Sequence, residues 1–425
     1  MPTRVSHSQM KRYWRVLLIL FLLAVALPAF AREVVVAHDN SGDFLTIQAA
    51  IDSVPAANHE RQVVLIKNGN YAEQLRINNS FITLRGEDRK KTRIEASVNT
   101  SACRVAPEES KEEHCAVVIG DGTDLVFENL TVANTYRDKH GKGAALSLVK
   151  DSTRILLHNV DVVGQGGDTL VLSARRNRTG DGGEYYLNDV YVSGTYHIIV
   201  PRGAAYAVNC TFWCMGGERN CLFAEGITRE TDKLVIKSSV IDGPGPFGLG
   251  SYFRDAAWYF VGDTFSKNLL PDGYIHREPA RNYEMKWSEG RIYFDDSKGP
   301  AYPWLRNNLE LAPAKTAAAV TAEWVFPAWN PERVSGPKIK SVKPLGDDLA
   351  VVFEEAVTVD GHPQVILSSG GRAKYLRGSG STTLIFHSAQ FGHPVRLEPN
   401  GGAIYASAAS LKRRDADMKG PLERF

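Results

Sequence analysis

Cysteine is scarce in this chain, five residues in 425, too few for a scaffold built on disulfides. Net charge is also small, 50 basic against 48 acidic residues, so nothing electrostatic points to nucleic acid as a partner. No second histidine or cysteine stands at ligand spacing from His197, so a metal is not expected there, and no other cofactor is indicated. After residue 31 no apolar run approaches the ~20 residues that span a bilayer. The centre of the chain lacks helical periodicity as well, which excludes a helical bundle. Hydrophobic residues nevertheless make up 43% and glycines number 37, the profile of a folded, turn-rich chain.

What is present is a repeat. Val126-Phe127-Glu128-Asn129-Leu130-Thr131-Val132 is followed by Leu156-Leu157-His158-Asn159-Val160-Asp161-Val162 and by Tyr186-Leu187-Asn188-Asp189-Val190-Tyr191-Val192, with looser copies around Asn209, Ser238 and Asp263. A period-two strand around a polar turn residue, returning every 20 to 30 residues, predicts a parallel β-helix in which each repeat is one coil. Residues one repeat apart then stack at about 4.8 Å. Asp168 and His197 occupy nearly the same offset in consecutive repeats, so an acid and an imidazole are expected on one wall.

Residues 1–31 read as a secretory signal: Arg4, Lys11, Arg12 and Arg15 precede an apolar run at 16–27, and Pro28-Ala29-Phe30-Ala31 supplies small residues for cleavage. An uncleaved anchor is the competing reading. Removal of those four cations takes the formal charge from +2 to −2. The mature chain is expected to be a monomer, secreted or periplasmic, with no membrane contact after cleavage. Cys103 with Cys115 and Cys214 with Cys221 are spaced to close small disulfide loops, leaving Cys210 as a buried rung residue. Thr46 is expected to cap a short helix whose apolar residues Ile47, Ala50 and Ile51 close the first coil. The solenoid is read as ending near Phe265. The tract beyond, with Trp287, Pro303, Trp304, Trp324 and Trp329, is expected to pack along its flank. From Ser335 onward, alternating strands at 349–353, 363–367, 383–386 and 396–398 between Gly and Ser turns predict a small antiparallel β-sandwich. This gives a β-helix at 32–333 and, at 334–425, a small domain that resembles immunoglobulin-like modules, without a catalytic constellation.

Several pieces, in order, resemble the pectin methylesterases (pectinesterases). They are Ser41-Gly42-Asp43-Phe44-Leu45-Thr46-Ile47-Gln48-Ala49-Ala50-Ile51, Ile66-Lys67-Asn68-Gly69-Asn70-Tyr71-Ala72-Glu73 and Ile82-Thr83-Leu84-Arg85-Gly86-Glu87. Asn129 to Thr135, Asp168-Thr169-Leu170, Gly194-Thr195 and Thr321-Ala322-Glu323-Trp324 follow. The resemblance implies a right-handed parallel β-helix acting on methyl-esterified polygalacturonate without a cofactor or metal. It further implies one aspartate as nucleophile, a second one coil away as proton donor, glutamines at the oxyanion and an arginine that holds the nucleophile.

Only part of that set stands here. Gly167-Asp168-Thr169-Leu170 puts Asp168 at the proton donor, whereas Gly194-Thr195-Tyr196-His197-Ile198-Ile199 puts His197 at the nucleophile. Both glutamine positions fall on glycines, Gly143 and Gly167, with Gln165 close by, and Leu249-Gly250-Ser251-Tyr252-Phe253-Arg254 puts Ser251 at the arginine. The site expected from sequence is therefore Asp168 and His197 for chemistry, with Gln165, Arg202, Ser251, Phe253 and Arg254 for binding. Losing one oxyanion donor typically costs about 3 kcal/mol of barrier, so an unaltered double displacement is not expected. Three readings follow: an esterase with His197 as general base on water, a pectin- or oligogalacturonate-binding β-helix without hydrolysis, and an esterase for another ester such as an acetylated pectic sugar. Against all three stands a structural role, with Asp168 capping a turn and His197 filling an apolar rung.

Overall fold

The computed structural model describes residues 33–58, 61–99, 115–137, 143–150, 152–174, 183–216, 220–227, 229–252, 255–276, 291–329, 331, 339–360, 363–367, 372–388, 394–398, 403–406 and 422–424. Residues 1–31, read from sequence as a secretory signal, and Trp287 lie outside them. The repeats form a parallel β-helix with three strand-bearing faces. The first runs from Glu33–Val36 through Gln62–Ile66, Ile82–Gly86 and Val126–Glu128 to Ala257–Val261 and Arg291–Asp295. The second holds Leu75–Ile77, Ala116–Gly120, Ala144–Lys150, Leu170–Ala174, Ile199–Pro201, Phe223–Glu225, Gly250–Tyr252 and Tyr274–His276. The third passes through Thr131–Asn134 and the far halves of Ile155–Val163 and Glu184–Gly194 to Thr211–Cys214 and Val240–Asp242.

The register explains the repeated phrase. Asn129, Asn159, Asp189, Asn209 and Ser238 follow one another coil by coil, all at φ between 51° and 55°. They make the left-handed corner between the first and third faces, a conformation Asn and Asp tolerate better than other side chains. In the next coil the corner is Gly262, at φ 67°, one residue before the Asp263 read from sequence.

Asp263 is instead fully buried. Its Oδ1 accepts the Ser239 N–H at 2.8 Å, its Oδ2 has no partner, and burial pushes its carboxyl well above the usual range. The group stays protonated in the fold at pH values where the unfolded chain, near its ordinary pKa of about 3.9, has lost the proton. Stability from this site is therefore present below about pH 4 and declines as pH rises toward the raised folded value. Asp263→Asn is expected to raise the melting temperature at pH 7.5 and to lose that advantage near pH 4; equal shifts at both pH values would contradict this.

Two devices close the solenoid. At its start, Thr46 Oγ1 accepts the Ala49 N–H of helix Ile47–Asp52, the Glu73 carboxylate accepts the Ile47 and Gln48 N–H groups, and Ile47, Ala50 and Ile51 are buried as expected. Along the side, Arg89 donates to Asn159, Asp161 and Asp189, and Lys90 pairs with Asp161, so one loop reaches two and three coils ahead.

The solenoid does not end near Phe265. Tyr274–His276 and Arg291–Asp295 continue the second and first faces, and Ile292 and Phe294 point into the core while Tyr293 alternates outward. Aromatic density hid that strand in the sequence. The tract at 300–329 does pack along the flank: Leu309, Val320, Ala322, Val325 and Phe326 cover Tyr186, Tyr206, Val235 and Tyr259 on the outside of the first face. Its tryptophans are spent on packing. Trp324 lies edge-on to Tyr259 at 5.1 Å with the Lys233 ammonium 4.6 Å above its ring, Trp304 rests against Gly273, and Trp329 packs on Phe326.

Beyond this tract, Ile339–Leu345, Asp348–Asp360, Ser381–His387, Arg372–Arg377, Gln364–Leu367, Pro394–Glu398 and Leu422–Arg424 pair antiparallel in that order, with Ala403–Ala406 on the far half of the long strand. They share a separate core of Val351, Phe353, Val365, Leu384 and Phe386. Among the described residues no helix is long and apolar enough to cross a membrane.

Candidate active site

Pairing of Leu170 with Ile199 and of Gly167 with Tyr196 sets the Asp168 turn directly beside the His197 turn, at the entrance to the second face. The Asp168 N–H donates to the Tyr196 carbonyl and the His197 N–H to the Asn220 carbonyl, each at 3.0 Å. Tight turns are possible here because two positions lack side chains: a Cβ on Gly164 or Gly194 would come within 2.5 or 2.2 Å of the Thr169 hydroxyl. Asp168 and His197 both take left-handed backbone, φ 54° and 49°. The same conformation recurs in the Asn129 ladder, so it marks a corner of the coil and does not by itself mark a reactive residue.

The side chains meet. His197 Nδ1 lies 3.2 Å from Asp168 Oδ1, with the two side chains 15% and 21% exposed. An ionised carboxylate can only accept, so Nδ1 carries the hydrogen and a neutral ring keeps its lone pair on Nε2. That Nε2 is buried with no hydrogen-bond partner, and the Tyr196 ring stacks on the imidazole at 3.5 Å. One coil further on, Asn220 Oδ1 is also buried and unpartnered.

A disulfide between Cys214 and Cys221 closes the adjoining loop, as the spacing predicted. The loop grips both flanks of His197, because Met215 donates to the Gly194 carbonyl and the Cys221 carbonyl accepts from Ile198. Cys115 is disulfide-bonded and Cys103 lies outside the described residues. Cys210 is a buried free thiol that burial pushes up to about 12, so it holds its proton and is no nucleophile.

The remaining sequence-derived residues are dispersed. Gln165 is half-buried on the Asp168 turn. Ser251 is 1% exposed, paired with Ala224 two coils beyond His197, and no hydrogen bond joins the two among the described residues. Arg202 follows Ile199–Pro201, at the end of that strand away from the His197 turn. Phe253 and Arg254 lie outside the described residues. At Gly143 a Cβ would stand 2.2 Å from the Val98 carbonyl, so a glutamine does not fit there without a backbone shift. Sequence reasoning passed over Tyr196 and Asn220. The Cys214–Cys221 bracket around Asn220 was the available signal for one, and adjacency to His197 for the other.

Coil stacking defines a parallel β-helix, and a carboxylate–imidazole pair stands at the entrance to its second face. The pectinesterase family model matches residues 33–243. Pectinesterase 31 of Arabidopsis thaliana is 28% identical over 228 residues, covering 52% of this chain and 68% of that protein. Among solved structures, pectin methylesterase PemA from Erwinia chrysanthemi superposes with a TM-score of 0.58 at 21% identity, covering 71% of this chain and 98% of that one. A pectin methylesterase in complex with a hexasaccharide gives 0.56 at 21% identity, over 69% and 97%. Residues 33–243 belong to the pectinesterase family.

Proposed function

We propose that this chain is an exported esterase that hydrolyses the methyl esters of polygalacturonate, with His197 as general base in place of a nucleophilic carboxylate. The observation that carries this reading is the Nδ1 bond to Asp168, which orients the ring and leaves the Nε2 lone pair unclaimed. Water admitted as the Tyr196 ring shifts gives a proton to Nε2 while its oxygen attacks the ester carbonyl. The tetrahedral intermediate then expels methoxide, which takes the proton from the imidazolium and leaves as methanol. The Gln165 amide is the nearest replacement in sequence for the missing oxyanion glutamines. Family membership and a neighbour of the same fold solved with a hexasaccharide support a pectic substrate.

A second reading, oligogalacturonate binding without hydrolysis, is favoured by one observation: Nε2 has no solvent contact in this conformation. Methanol release from highly methylated pectin by the purified mature protein separates the two. Release that falls by about 10²–10⁴ in Asp168→Asn supports the esterase. No release, with oligogalacturonate still bound, supports the binding protein.

A further inference from the structure

In the C-terminal sheet, cations gather on the face turned away from the core. Along Arg372–Arg377, Ala373 is buried while Arg372, Lys374 and Arg377 are exposed. Register carries that face across the neighbouring strands. Arg377 pairs with Ile385, Ile385 with Ala350 and Ala350 with the exposed Lys343; Lys374 pairs with His387 and His387 with Asp348. Arg372 shares a row with Ile366 and Arg396. The acids that the register brings here are Asp348, whose Oδ1 lies 2.7 Å from His387 Nδ1, and Glu398 beyond Gln364. Among the described residues no carboxylate forms an ion pair with Lys343, Lys374 or Arg377.

Strands lie about 4.8 Å apart and alternate residues about 6.8 Å along a strand, so these cations are spread over the sheet and do not converge on a point. A spread of that kind fits a linear polyanion better than a compact anion. The geometry points to de-esterified galacturonan as the ligand of this face. This inference rests on the proposed pectic substrate: each methyl ester removed exposes one carboxylate, so the reaction creates the charge that the face attracts. Fully methylated pectin, lacking that charge, is not retained.

The test uses the full mature chain. Affinity for polygalacturonate is measured against salt for the native protein and for a variant carrying Lys343→Gln, Lys374→Gln and Arg377→Gln, with methanol release from soluble methylated oligomers recorded in parallel. The expected result is at least a tenfold loss of affinity in the variant, a shallower salt dependence because fewer charges are screened, and release within about twofold of native. Native affinity in the folded variant overturns the inference. So does equal retention on fully methylated pectin, or binding to anionic lipid vesicles in preference to polygalacturonate. If the triple variant misfolds, Lys374→Gln alone with the same salt series replaces it, and a salt-independent affinity of the native chain is then the overturning result. Absence of methanol release together with lost polygalacturonate binding in the variant would end the esterase reading while leaving this one standing.

Discussion

His197→Ala is expected to lower methanol release by about 10²–10⁴ while leaving KM within a few-fold. The role proposed for the ring is proton transfer, and removing a positioned general base typically costs that much in rate. Added imidazole is expected to restore part of the activity, because the vacated space lies beside the Asp168 carboxylate that oriented the ring. His197→Asp is expected to remain poor. It restores two stacked carboxylates, yet Ser251 stands where the family's arginine would hold the nucleophile and Gly143 where a glutamine would reach the oxyanion. Undiminished release by His197→Ala would remove the imidazole from the mechanism.

Trp258→Ala is expected to cost about 3–5 kcal/mol, the usual range for a fully buried large aromatic. The ring is 0% exposed, lies 4.0 Å from the Phe223 ring and 5.5 Å from Tyr252, and bridges the first and second faces. Its indole N–H has no partner, and an unpaired buried donor costs about 1–3 kcal/mol. Trp258→Phe is therefore expected to be far milder, since relief of that donor offsets part of the lost contact. Denaturant midpoints for the two variants provide the comparison; equal losses would show that the orphan N–H carries no penalty here.

The coil was legible because each strand repeats an apolar alternation and each left-handed corner selects a polar residue, as Asn129, Asn159 and Asp189 show. The end of the coil was not, because Tyr293 and Phe294 read as flanking aromatics until Arg291–Asp295 is seen paired with Ala257–Val261. Stacking of Asp168 on His197 followed from their nearly equal offsets in the repeat. What lies on the imidazole did not, since ring contact between Tyr196 and His197 depends on rotamers that no periodicity encodes. Nor did spacing reveal that Arg202 stands at the far end of its strand, because proximity in sequence along an extended strand is separation in space.

In a solenoid each coil ordinarily touches only its neighbours, and unravelling can begin at either end. The guanidinium of Arg89 breaks that rule, engaging Asp161 two coils ahead and Asp189 three coils ahead. The strand carrying Asp161 leads into the Asp168 turn, and the strand carrying Asp189 leads into the His197 turn. The opening coils therefore act as a rivet on the two segments that deliver the acid and the imidazole, and fraying at the amino-terminal end is expected to reach the Asp168–His197 corner as a loss of alignment.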